Sequence, residues 1–165
     1  MFMPKHKSFP TKNNLSAEVR DKAIVMLNQH LADSLDLYSQ TKQAHWNVKG
    51  MQFHHLHELF DELAAGTLEH VDMIAERATA LGGTALGTVR MSAGASRLAE
   101  YPLDAVDGRQ HVELLAARYA SFGATARAAI DTAASLGDAD TADLFTEVSR
   151  DVDKNLWFLE SHLQG

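Results

Sequence analysis

Three glycine stops, at Gly50, Gly82-Gly83 and Gly137, cut this chain into long stretches in which apolar residues recur every three to four positions, a pattern that belongs to helices. The first stretch opens at Ser16, a residue type suited to an N-cap, with Glu18 in the first turn where the helix dipole favours an acid. Val19, Ala23, Met26, Leu27, Leu31, Leu35, Leu37 and Tyr38 then share one face, which predicts a helix from about 17 to 46 that ends before Gly50. Leu56, Leu59, Phe60, Leu63, Val71 and Ile74 predict a second helix from about 52 to 81, closed by Gly82-Gly83. With only three prolines and little alternation of Val and Ile, the chain is expected to be all-α.

Residues 82 to 106 are rich in Gly, Ser and Thr and form a long connection, in which Ser96 to Glu100 has the makings of a short helical turn. Asp107 with Gln110 three residues on has the form of a capping box for a third helix from about 108 to 136. A fourth helix begins near Asp140 or Thr141 and carries Leu144, Phe145, Val148, Val152, Leu156, Trp157 and Leu159 to about Leu163. Two helical hairpins joined by one long crossover, which itself carries a short helix, make a ferritin-like four-helix bundle; a short link would make a simple up-down bundle. The domain is expected to span 16–165. Pro4, Pro10 and Asn13-Asn14 argue against regular structure before it, leaving 1–15 as a flexible N-terminal tail.

The tail is basic on an acidic body. Lys5, Lys7 and Lys12 give residues 1–13 a charge of +3 against a chain total of −7, so the remainder holds −10. No stretch reaches the roughly 18 apolar residues that span a bilayer. MFMPKHKSFP lacks the apolar core of a secretory signal, so a cytoplasmic location is expected. The absence of cysteine removes disulfides, thiolate zinc sites and cysteine nucleophiles, and leaves histidine and carboxylate chemistry.

Such residues are arranged symmetrically on the second helix. His57/Asp61 and Asp72/Glu76 are each spaced i,i+4 and so each pair shares a helix face. At about 1.5 Å per residue, Asp61 and Asp72 lie roughly 16 Å apart, too far to hold one ion within a chain. Yet 57 mirrors 76, and 61 mirrors 72, about a midpoint near Gly66 and Thr67. A two-fold axis there sets His57/Asp61 of one copy against Asp72/Glu76 of another and gives two identical sites per dimer, with Gly66 allowing close approach. His45 joins them because the short 47–51 turn returns the end of the first helix to the start of the second. Imidazole with hard oxygen donors suits Fe(II), with Zn, Mn or Co as competitors, and few protein ligands leave positions open for water or oxidant. His54 and Glu58 form an alternative i,i+4 pair with no mirror partner of equal quality. His54 and His70 are assigned to the surroundings of the site or to the surface. The sequence contains no Glu-x-x-His, the motif of di-iron sites inside one bundle, which favours a site between subunits.

AHWNVKG (44–50), His57-x3-Asp61-x10-Asp72-x3-Glu76, ERATALGG (76–83) and TADLFTEVSRDVDKNLWFLESHL (141–163) together resemble the Dps family, the mini-ferritins named as DNA-binding proteins from starved cells. The resemblance covers about residues 16–163. It implies a ferroxidase site with His45, His57 and Asp61 in one half and Asp72 and Glu76 in the other. It further implies a homo-dodecameric shell, built from two-fold dimers, that stores ferric mineral, with hydrogen peroxide the preferred oxidant and dioxygen slower. Trp46 would serve as an electron donor or as packing at the dimer contact. Asp138, Asp140 and Asp143 would line a three-fold pore for iron entry; their competing role is N-capping and dipole compensation at the start of the fourth helix.

Three lysines neutralise few phosphates, but tails multiplied over a shell gain avidity, so sequence-independent, salt-sensitive DNA binding through Lys5, Lys7 and Lys12, with association to the nucleoid, stands beside iron chemistry as an expectation. The alternative function is a nucleoid-packaging protein whose metal site is incidental or holds zinc. A helical-bundle dimer with a structural metal is a third reading.

Overall fold

In the computed structural model, which describes residues 7–164, five helices follow one another: α1 (Ala17–Asn47), α2 (Phe53–Ala80), α3 (Val89–Ala95), α4 (Gly108–Ser135) and α5 (Ala139–Ser161). The expected caps set these limits. Ser16 accepts from the Val19 amide, and Asp107 and Gln110 form the reciprocal capping box of α4. Gly50, Gly82 and Gly137 all adopt positive φ, at 111°, 89° and 79°. Gly82 has a second reason to lack a side chain: a Cβ there would meet the Phe9 carbonyl oxygen at 2.6 Å, because the Phe9 amide donates to the Gly82 carbonyl at 2.7 Å.

α1 packs along α2 and α4 along α5, while further contacts of α1 with α4 and of α2 with α5 join the two hairpins into the four-helix bundle. Tyr119, Phe60, Phe122 and Phe145 are the largest fully buried side chains and sit among leucines and Ile24 and Ile74. A buried hydroxyl cluster crosses this core. Tyr119 Oη lies 3.2 Å from Thr41 Oγ1 and 3.0 Å from Thr67 Oγ1, joining α1, α2 and α4.

The crossover departs from the sequence expectation. Its helix is α3, capped by Thr88, and Ser96 to Glu100 is not helical. The cause is a polar stripe on α1. Asn28 bonds the Thr84 carbonyl and the Leu86 amide, Asp33 binds Arg97, Asp36 accepts from Ser96, and Gln40 donates to the Ala99 carbonyl. They pair the Arg97 amide and the Ala99 carbonyl with α1 side chains and tie the segment along that helix.

The expected N-terminal tail divides. Lys5 lies outside the described residues. From Lys7 the chain is fastened, with the Lys7 carbonyl accepting from Thr84 Oγ1 at 2.8 Å and Leu15 packing on the core. Among the described residues no helix is long and apolar enough to cross a membrane.

Two core histidines make stability depend on pH. His30 lies between α1, α4 and α5, its ring 4.7 Å from that of Phe145, with its nitrogens 2.9 and 3.2 Å from the Met26 and Thr125 carbonyl oxygens. Burial holds its pKa below the usual value, outweighing those two carbonyls, and burial lowers His111 in the same way. The unfolded chain therefore takes up protons that the folded core refuses. This contribution to stability is full above the ordinary imidazole value of about 6.5 and declines as pH falls below it. Urea midpoints measured from pH 7.5 to 5 are expected to fall toward acid, with a shallower slope in a His30→Gln variant.

Candidate metal centre

The short turn between α1 and α2 builds one half of the site. The Val48 amide closes α1 on the Ala44 carbonyl at 2.9 Å, and the Phe53 amide bonds the Gly50 carbonyl at 3.0 Å as α2 begins. His45 and His57 face each other across this turn with rings stacked 3.8 Å apart and tilted by 18°. Each Nδ1 lies against the other residue's main-chain carbonyl, His45 Nδ1 to the His57 oxygen at 2.7 Å and His57 Nδ1 to the His45 oxygen at 2.8 Å. A carbonyl only accepts, so both Nδ1 atoms carry the proton, and both Nε2 atoms keep a free lone pair in the neutral ring. This is how imidazoles are oriented when they ligate metals.

Asp61, one turn beyond His57, completes this half. Its Oδ1 is 3.9 Å from His45 Nε2, too long for a hydrogen bond. Two metal bonds of about 2.1 Å each span up to about 4.2 Å, so one ion fits between them. The Lys42 ammonium donates to the same Oδ1 at 2.5 Å. That hydrogen bond and the Lys42 charge, with smaller help from His45 and His57, hold the Asp61 carboxyl below its ordinary range. Asp61 is therefore an anion at neutral pH.

Asp72 and Glu76 lie further along α2, exposed, and among the described residues their side chains make no hydrogen bond or ion pair. Among those residues no group of three or more His, Asp or Glu closes on one point that would hold an ion within the chain. The structure thus brings together His45, His57 and Asp61 and leaves Asp72 and Glu76 apart from them. Trp46, 64% exposed, sits beside this half with Lys42 Nζ 5.7 Å from its ring centroid.

His54 is exposed and 3.3 Å from Glu58, the alternative pair. His70 differs from expectation. It is buried, with Nε2 3.1 Å from Asp151 on α5, because position 70 falls on the face of α2 that turns into the bundle. The three aspartates before and within α5 separate. Asp138 is the N-cap, buried, and bound by the Thr141 amide at 3.0 Å and by Arg77 Nη2 at 2.7 Å. The cap and the ion pair with Arg77 account for its contacts. Asp140 and Asp143 are exposed and share an open cleft of about 370 Å³ with Glu76, Arg77 and Glu147. Lys7 and Lys12 are exposed. Lys42 is the residue that sequence reasoning passed over. Its spacing, three before His45 and four before Trp46, was the available signal.

Comparison with known proteins places this arrangement. The ferritin-like domain family matches residues 24–165. The DNA protection during starvation protein of Agrobacterium fabrum is 45% identical over 158 residues, 96% of this chain and 98% of the relative. Among solved structures, DpsC from Streptomyces coelicolor superposes with a TM-score of 0.89 at 31% identity, covering 96% of this chain and 91% of that one. The Dps protein from Vibrio cholerae O1, described as a member of a broad superfamily of ferritin-like diiron-carboxylate proteins, gives 0.87 at 26% identity over 94% and 99% of the two chains. With its two-hairpin bundle, its capped crossover and its paired histidines at the α1–α2 turn, the chain belongs to the Dps family of ferritin-like proteins.

Proposed function

We propose that this protein oxidises Fe(II) at sites shared between two copies of the chain and stores the ferric product inside a dodecameric shell, protecting DNA from oxidative damage. The observation that carries the reading is the reciprocal clasp of His45 and His57, which holds both Nδ1 atoms on main-chain carbonyls and leaves both Nε2 atoms free, with His45 Nε2 3.9 Å from Asp61 Oδ1. Asp72 and Glu76 of a second copy, placed by the two-fold axis near Gly66, supply the remaining oxygen donors. Zn or Mn would compete for the same mixed donor set.

With hydrogen peroxide as oxidant, each of two Fe(II) ions gives up one electron, the O–O bond breaks, and two protons are taken up to leave two waters. Electron supply in pairs avoids release of a hydroxyl radical. Dioxygen is the slower alternative. Trp46, beside the ligands and open to solvent, is placed to give an electron when iron is short. Asp140 and Asp143 are the carboxylates left to line an entry pore, and the exposed Lys7 and Lys12 are placed to add sequence-independent contacts to DNA.

The deciding experiment adds Fe(II) anaerobically, then peroxide, and follows ferric absorbance. A rapid phase is expected in the wild type and not in the His45→Ala/Asp61→Ala double variant; a rapid phase in that variant sinks the assignment. The axis has its own test at Gly66, where nothing beyond the adjoining backbone of α2 and the neighbouring residues lies within 4 Å of an added Cβ. Gly66→Ala should stabilise α2 by about 0.5–1 kcal/mol. Gly66→Phe should keep the helical content and lose the shell in native mass spectrometry, and full assembly would place the axis elsewhere.

A further inference from the structure

Lys42 reaches from α1 to α2 and donates to Asp61 Oδ1 at 2.5 Å, although Asp61 is 58% exposed and has water to bind instead. The lysine itself is only 18% exposed. A lysine ammonium normally keeps to solvent, so its withdrawal onto this one oxygen is a specific placement. The oxygen it holds is the one that lies 3.9 Å from His45 Nε2, across which a metal would bond. Nζ and an ion bonded to Oδ1 would therefore compete for the same carboxylate oxygen. On the other side, Nζ lies 5.7 Å from the Trp46 ring centroid, within the range at which an ammonium is attracted to an indole face.

We propose that Lys42 is a resident cation of the half-site, which holds Asp61 in position while no metal is bound and which an incoming divalent ion must displace toward the face of Trp46. The inference rests on the reading of His45, His57 and Asp61 as metal ligands. Lys42 makes the empty half-site electrically balanced, so Asp61 does not swing away into water. It also sets a threshold. A divalent ion with two imidazoles to bind outcompetes the ammonium, whereas a monovalent ion does not. The displaced ammonium keeps a favourable partner in the indole, and a positive charge there makes removal of an electron from Trp46 harder. Metal occupancy and the readiness of Trp46 to give an electron are thereby linked through one side chain.

Zn(II), which is redox-inert and fills the same donor set, is the probe. Calorimetric titration of the assembled full-length protein is expected to show Zn(II) bound roughly two- to five-fold more tightly by Lys42→Met and Lys42→Gln than by wild type, the range set by a partly exposed ion pair. Lys42→Arg, which keeps the charge, should remain near wild type. In a Trp157→Phe background, Zn(II) should shift the Trp46 emission, and Lys42→Met should diminish that shift. Unchanged or weaker Zn(II) binding in Lys42→Met and Lys42→Gln, with binding lost in Asp61→Ala, overturns the role of Lys42 alone. Zn(II) binding retained at wild-type strength in Asp61→Ala overturns the ligand assignment and this inference with it.

Discussion

Co-assembling two inactive variants, His57→Ala/Asp61→Ala and Asp72→Ala/Glu76→Ala, is expected to restore about a quarter of the wild-type rapid Fe(II) oxidation, because the proposed two-fold dimer splits each site between chains. Each variant alone should lose the rapid phase by more than about 100-fold, since even partners outside the ligand shell cost about 10- to 100-fold at metal centres. In a mixed dimer, one site collects both damaged halves and the other collects both intact halves. Random mixing puts about half of the chains into mixed dimers, each with one working site of two, hence about a quarter overall. A site contained in one chain predicts no recovery at any ratio. The comparison is internal to one preparation, so it is insensitive to how much iron each shell finally stores. Stopped-flow absorbance on co-expressed protein, with the mixing ratio read by mass spectrometry, provides the measurement.

The second large effect concerns stability. Asp33 is buried on α1 and accepts from the Arg97 amide at 2.8 Å, Arg97 Nε at 3.0 Å, Arg97 Nη2 at 2.5 Å and Gln29 Nε2 at 3.2 Å. Its removal leaves the Arg97 amide and part of the guanidinium without a partner, while the half-exposed end of Arg97 turns back to water. Asp33→Ala is therefore expected to cost about 2–4 kcal/mol, at the lower edge of what breaking a fully buried pair costs. The damage should be local before it is global. Hydrogen exchange is expected to quicken first in Val89–Arg97, where Ser92 Oγ on the Ala32 carbonyl, Gln29 Nε2 on the Ala95 carbonyl and Ser96 Oγ on Asp36 remain as fasteners. Uniform acceleration across all five helices would show that the crossover has no independent stability.

The long helices were legible because their signals are local. Ser16, Asp107 and Gln110 act on amides within three residues, and the glycines at 50, 82 and 137 meet a backbone requirement of their own positions. The place of the short helix within the crossover was not legible for the opposite reason. Asn28, Asp33, Asp36 and Gln40 look in sequence like the wet side of α1, yet they fasten residues 56 to 64 positions away. His70 misled in the same manner, a polar residue placed on an inward face by helix phase alone. At the candidate half-site, spacing put His57 and Asp61 on one face of α2, and the turn sets His45 beside them. What spacing did not convey was orientation. The exchange of carbonyls between His45 and His57, and the hold of Lys42 on Asp61, depend on how two helix ends meet.

The mutual hold of His45 and His57 has a consequence for electron transfer. Oxidation from Fe(II) to Fe(III) shortens metal–ligand bonds, and each ligand that must move adds to the reorganisation that accompanies the step. The nitrogen donors are braced by main chain and have little travel, whereas Asp72 and Glu76 stand free on an exposed helix face. A shared site assembled from these halves has one stiff side and one compliant side. In the proposed site the imidazoles would fix where the ion sits, and the carboxylates would follow its change of charge.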